Sequence, residues 1–254
     1  MNAIQTSTAP QQSISLIGAQ QNDLLRALSR DDLLALFGDL ELVTLPEGKH
    51  LFDYGDAVEY TYFPTNAIIS LQYVMEDGAT TEIAVVGREG VVGVALHPTE
   101  RASYAAVVQT PGYGYRLKTA VLREVFYTGG PLAQQLMRYT SMMFAQLAQS
   151  VAGSRHTSIE QKLCRWLLER LDRSLSNELK VTQEMIANML GVRRESVTGA
   201  AGKLAQEGLI TYRRGCVTVL DRDGMERRAG SCYQSMAKKA STAQPQAQQV
   251  RYAA

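Results

Sequence analysis

Apolar and polar positions alternate with two different periods along the 254-residue chain. "SRDDLLALF" (29–37) has helical spacing, with Ser29 placed to cap it and Asp32 at the capping-box position three residues on. From about residue 40 to 118 the period shortens to that of strands. "ELVTLPEGKHLFDYGD" offers two strand fragments around "PEG" and a turn at "YGD". "IISLQYVMEDGATTEIAVV" reads as a hairpin, with Asp77 and Gly78 supplying the positive φ of a tight primed turn. "SYAAVVQTPGYGYRLK" adds two more strands, and this many short strands predict a sandwich or rolled barrel. At Pro131 the helical period returns: Leu132, Leu136, Tyr139, Met143 and Leu147 recur at spacings of 4, 3, 4 and 4. That stripe either packs on the β-rich block or forms a dimer seam resembling a coiled coil.

The remainder is helical with one β-like interruption. "SIEQKLCRWLLERLDRS" (158–174) is amphipathic, with Leu163, Trp166, Leu167 and Leu171 on its apolar side. Thr182 caps a predicted helix over about 183–189, and Gly191 fits a left-handed cap that lets the chain change direction. A second helix is predicted over about 193–206, ending at Gly208. Ile186, Leu190, Val192, Val197, Ala201 and Leu204 give the two helices a shared core, the layout of a helix-turn-helix. "LITYRRGCVTVLD" then forms a hairpin with Arg213, Arg214 and Gly215 at its tip, completing a winged helix.

Charge sharpens this picture. Residues 1–150 hold 9 Lys and Arg against 15 Asp and Glu, a balance of −6, whereas residues 151–254 hold 17 against 10, a balance of +7. A basic C-terminal part points to a polyanionic partner such as nucleic acid. A recognition helix enters the major groove by its N-terminal end; Arg there can bind guanine bidentately and Glu can accept from the cytosine amino group. Arg194 and Glu195 are therefore candidate base readers. Arg193 can read a base or hold a phosphate, and Thr198 lies on the same face one turn on from Arg194. Thr182, Gln183, Lys203 and the wing residues Arg213 and Arg214 complete the candidate DNA-binding set. Gly199 and Gly202, in the body of the same helix, serve either packing or close approach to DNA.

Other chemistries find little footing. No run of 18 apolar residues exists to span a membrane, and the opening residues lack a basic start followed by an apolar stretch, so no secretory signal is expected. Cys164, Cys216 and Cys232 are widely spaced, with no C-x-x-C pair, which predicts reduced thiols in a cytoplasm. His50, His97 and His156 are isolated, so the clustered H-x-H-x-x-x-E of a metal-dependent β-roll enzyme is missing, as are G-x-S-x-G and a P-loop. No enzyme activity, metal or cofactor is expected.

The residues from about 25 to 225 resemble the Crp/Fnr family of bacterial transcription regulators. The likeness rests on "LPEGKHLFDYGD", the β-rich block, the long helix, and "VTQEMIANMLGVRRESV" followed by "GLI". It implies an α+β fold: an N-terminal double-stranded β-helix (jelly roll) of cyclic-nucleotide-binding type, a long dimerisation helix and a C-terminal winged helix-turn-helix. It also implies a homodimer binding two-fold symmetric double-stranded DNA and contacting RNA polymerase. By position, Arg194 and Glu195 match the family's base-reading pair and Thr182 its phosphate-contacting cap. Gly199 stands where many members place a third reading Arg, and Arg193 where Ser or Thr often caps the helix, so the half-site is expected to differ. The cyclic-AMP cassette departs further. Gly93 fits its glycine, but Val94 replaces its acid; Ser103 fits its hydroxyl, but Ala102 precedes it and Arg101 comes one residue early. One residue of shift turns a strand side chain to the other face. Cyclic AMP bound in the usual manner is therefore not expected, and the effector is unassigned, with Gly93, Arg101 and Ser103 as candidate pocket residues. The expected organisation is a tail (1–15), β-roll sensor (16–128), dimerisation helix (129–153), winged helix (154–228) and C-terminal extension (229–254). The alternative function is a ligand-sensing module without direct transcriptional output.

Overall fold

The computed structural model describes residues 15–76, 78, 80–154, 157–174, 176–213, 215–230 and 233. The expected tail before residue 15, Asp77, His156, Arg214, Cys232 and most of the C-terminal extension lie outside these residues. Three short helices lead in: α1 (Leu16–Ala19), α2 (Asp23–Arg26) and α3 (Arg30–Phe37). Ser29 caps α3 as anticipated, its Oγ accepting from the Asp32 N–H at 3.1 Å.

Seven strands follow: β1 (Glu41–Leu45), β2 (His50–Phe52), β3 (Tyr60–Pro64), β4 (Ile68–Val74), β5 (Thr80–Val86), β6 (Ala105–Thr110) and β7 (Gly112–Lys118). They form two antiparallel sheets, ordered β1-β7-β3 and β2-β6-β4-β5. Leu45 and Tyr62 from the first sheet meet Phe52, Ile69, Leu71, Val86 and Val108 from the second, so the two inner faces close over one apolar core. The β4–β5 hairpin departs from the expected two-residue turn. Val74 pairs with Thr80, leaving residues 75–79 as the connection, and the Gly78 N–H donates to the Met75 carbonyl at 2.9 Å. Gly78 does take the positive φ (83°), but as the last residue of that four-residue turn.

Helix α4 (Thr119–Tyr127) leads into α5 (Pro131–Ser154), whose 24 residues span about 36 Å. The stripe packs in part within the chain. Leu132 and Leu136 are buried with Leu122 and Phe63, while Tyr139, Met143 and Leu147 pack against the inter-sheet core and stay partly exposed. Among the described residues, the large apolar side chains that α5 leaves exposed are Met137, Phe144 and Val151, seven residues apart.

The C-terminal domain comprises α6 (Ile159–Leu171), β8 (Glu178–Lys180), α7 (Gln183–Leu190), α8 (Arg194–Gln206), β9 (Ile210–Arg213), β10 (Cys216–Val219) and α9 (Arg222–Ala229). Leu163, Trp166, Leu167 and Leu171 of α6 share a core with Ile186, Val197, Ala201 and Leu204. The wing is a three-stranded sheet ordered β8-β10-β9. Strand β8 was not anticipated: three residues between two helices are too few to show a period.

Candidate nucleic-acid interface

The turn between α7 and α8 is built as the sequence predicts. Thr182 caps α7 through its Oγ1, which accepts from the Met185 N–H at 3.1 Å. Gly191 ends α7 in the left-handed region (φ 63°, ψ 38°), a conformation open to Gly at little steric cost. Arg193 is extended and acts as N-cap of α8 without a side-chain hydrogen bond, so the helix begins at Arg194. Val197, Ala200, Ala201 and Leu204 face the core, which turns Arg194, Glu195 and Thr198 to solvent.

Further contacts arrange the surface around that helix end. The Thr198 hydroxyl lies 2.7 Å from Gln183 Oε1 and 3.1 Å from the Arg194 carbonyl oxygen, and its one proton serves either acceptor. Thr198 and Gln183 thereby pin the start of α7 to the first turns of α8. The Gly215 carbonyl accepts from the Val181 N–H at 2.8 Å, which seats the wing turn beside Thr182. Arg193 and, on the wing, Arg213 are exposed; Arg214 lies outside the described residues. One face therefore gathers Thr182, Gln183, Arg194, Glu195 and Thr198, with the wing adjoining it. Lys203 stands apart: it lies nine residues beyond Arg194, about 13 Å along the helix, and its Nζ is 2.8 Å from Glu160 Oε1 on α6. That bond holds the Glu160 carboxyl down to about 2. Lys203 therefore serves the packing of α8 on α6, a role that spacing along α8 alone does not reveal.

The candidate effector residues do not converge. Arg101 and Ser103, in the loop before β6, are exposed while Ala102 between them is buried in the inter-sheet core. Gly93 (φ 82°) passes so close to β3 that a Cβ there would sit 2.7 Å from the Tyr60 carbonyl oxygen. Its carbonyl accepts from the Thr61 hydroxyl at 2.7 Å. The trio is therefore corrected as a pocket: two members point outward, and the glycine serves chain packing. Burial pushes the Cys164 thiol up to about 12, leaving it protonated at neutral pH. Among the described residues no three His, Cys, Asp or Glu side chains gather as a metal site, and no helix is long and apolar enough to cross a membrane.

A set of contacts between the two domains was not legible in the sequence. The Arg170 guanidinium on α6, almost fully buried, binds both carboxylate oxygens of Glu82 on β5 at 2.7 and 2.6 Å and Gln109 Oε1 on β6 at 2.8 Å. It also stacks over the Trp166 ring. Arg173 Nε pairs with Glu89 at 2.6 Å. Met189 of α7 lies 3.9 Å from Ser70 Oγ and from Gln72 Nε2. The winged helix thus rests on the outer face of the four-stranded sheet, and Arg194 stays exposed to solvent.

Comparison with known proteins agrees with this geometry. Residues 161–228 match a family model described as a Crp-like helix-turn-helix domain. The chain is 27% identical over 210 residues to the global nitrogen regulator of Synechococcus elongatus, covering 76% of this chain and 95% of that protein. It is 24% identical over 206 residues to a CRP-like cAMP-activated global transcriptional regulator of Mycobacterium tuberculosis, covering 78% and 92%. Among solved structures, FixK2 of Bradyrhizobium japonicum shares the fold with a TM-score of 0.66 at 15% identity, over 76% of this chain and 98% of FixK2. The chain thus carries a Crp-like helix-turn-helix domain over residues 161–228 and is similar, along most of its length, to transcriptional regulators that share its order of β-roll and winged helix.

Proposed function

We propose that the chain works as a cytoplasmic homodimer that binds a two-fold symmetric promoter site and acts on transcription through RNA polymerase. The observation that carries this reading is the solvent-facing start of α8. Arg194, Glu195 and Thr198 share one exposed face at the end of the helix that enters a major groove, while the opposite face is anchored in the domain core. Arg194 reads a guanine and Glu195 a cytosine amino group. Thr182, Arg193 and Arg213 hold phosphates on either side. Two copies associate through the face of α5 that carries Met137 and Phe144, an exposed pair at heptad spacing. The β-roll does not take cyclic AMP through the usual acid and Arg, because Val94 stands at the acid's place and Arg101 faces solvent.

Selection of bound fragments from a random DNA pool, followed by affinity measurements at several salt concentrations, tests the proposal. Arg194→Ala should lose roughly 1–3 kcal/mol at one base position of each half-site and relax the preference there. Arg213→Ala should weaken all sequences alike and lower the salt slope by about one. Unchanged affinity and preference in Arg194→Ala would show that another surface reads the DNA.

A further inference from the structure

We propose that the cavity between the β-roll and the winged helix binds a small carboxylate with an apolar body. The cavity, about 170 Å³, is enclosed by β5, α5, α6 and α7. Helix α6 presents Lys162, Arg165, Trp166 and Glu169 to it, positions at i, i+3, i+4 and i+7 that share one helical face. The rest of the wall is mixed: Ile83, Ala84, Met189 and Leu190 give it an apolar patch, beside Thr81 and Glu82 from the roll and Gln146 and Ser150 from α5.

Donors outnumber acceptors around this space. Arg170 and Glu82 satisfy one another and need nothing more. The Trp166 indole N–H is buried without an acceptor, and an indole can only donate. The Lys162 ammonium has no acceptor among the described residues. Arg165 makes two long contacts, 3.3 Å to Ser150 Oγ and 3.6 Å to Glu169 Oε1. Two cations and an indole face two carboxylates: Glu82, which Arg170 already takes up, and Glu169, held only by that 3.6 Å approach. Burial pushes its carboxyl above the usual range, with Arg165 and Arg173 pulling it back. A buried donor left unpaired is costly, so an occupant bringing anionic oxygen is favoured. The single counter-charge needed selects a monoanion: a phosphate dianion would leave the site with a net negative charge. The apolar patch calls for a hydrocarbon body rather than a bare ion. Because its walls come from both domains, an occupant would favour this docked arrangement over any in which they part.

Trp166 is the sole tryptophan and lines this cavity, so its emission has a single source beside the occupant. Sodium hexanoate titrated into the full-length protein at constant ionic strength should give a saturable change in that emission. Hexanol and inorganic phosphate should not reproduce it. Lys162→Gln, a change at a partly exposed position, should weaken binding about tenfold with an unchanged melting temperature. Glu169→Gln should tighten it. A hexanoate curve that does not saturate, a matching response to hexanol or to phosphate, or undiminished binding in Lys162→Gln would each overturn the assignment. No DNA is present in this assay, so its failure leaves the DNA-reading proposal standing.

Discussion

At positions 199 and 202 the body of α8 carries no side chain, and a Cβ added at either meets no atom within 4 Å. Packing within the chain therefore does not require glycine there. Both positions are exposed, on the helix whose front end bears Arg194. Glycine in a helix interior costs about 1 kcal/mol against Ala. Gly199→Ala should accordingly raise the melting temperature by about 2–4 °C in a thermal melt. A fall in DNA affinity in the same stabilised variant would locate a close backbone approach to the duplex. Gly112 behaves oppositely: a Cβ there would lie 2.7 Å from the Ala67 backbone nitrogen, so Gly112→Ala should lower the melting temperature. Sequence marks all three residues only as glycine; the neighbours decide the sign of the change.

Among the elements, α5 shows how a period can be legible while its partner is not. The 4-3-4-4 stripe was legible because the helix is amphipathic; within the chain its first two leucines are buried and the other three positions pack in part on the β-roll. A second row, Met137, Phe144 and Val151, lies on the solvent side of the isolated chain. The two rows separate under mutation. Leu136→Ala should cost about 2–5 kcal/mol of stability, read by denaturant unfolding, because it opens a cavity in the core. Phe144→Glu should leave the β-roll folded and shift sedimentation toward the monomer; an unchanged dimer would move the seam elsewhere. The short elements α1, α2 and β8 escaped the sequence reading for a different reason: three or four residues complete no more than about one turn or pleat, so tertiary contacts alone define them.

Across the whole molecule, Arg170 and Glu82 join a helix of one domain to a strand of the other, 88 residues apart. Removing one partner leaves a buried charge uncompensated, which costs about 3–5 kcal/mol, whereas replacing both with apolar residues of similar volume is often neutral. Arg170→Ala should therefore split or broaden the thermal transition as the domains lose their junction, and Arg170→Met combined with Glu82→Leu should restore a single one. A melt of Arg170→Ala identical to the parent's would show that the remaining contacts, among them Met189 with Ser70 and Gln72 and Met185 with Gln109, hold the docked arrangement by themselves.

The succession of β-rich block, long helix and winged helix, the helix-turn-helix itself and the Arg194-Glu195 front were determined by the sequence alone. Their signals are local: a Thr cap, a left-handed glycine and apolar spacing within a few residues of each other. What covers each apolar face, which charges pair and where Arg101 and Lys203 point were decided only by the tertiary structure. Those outcomes depend on residues brought together from distant parts of the chain, as Glu82 is to Arg170 and Glu160 to Lys203. Burial and pairing are properties of the space between elements, and no periodicity within one element encodes what stands across from it.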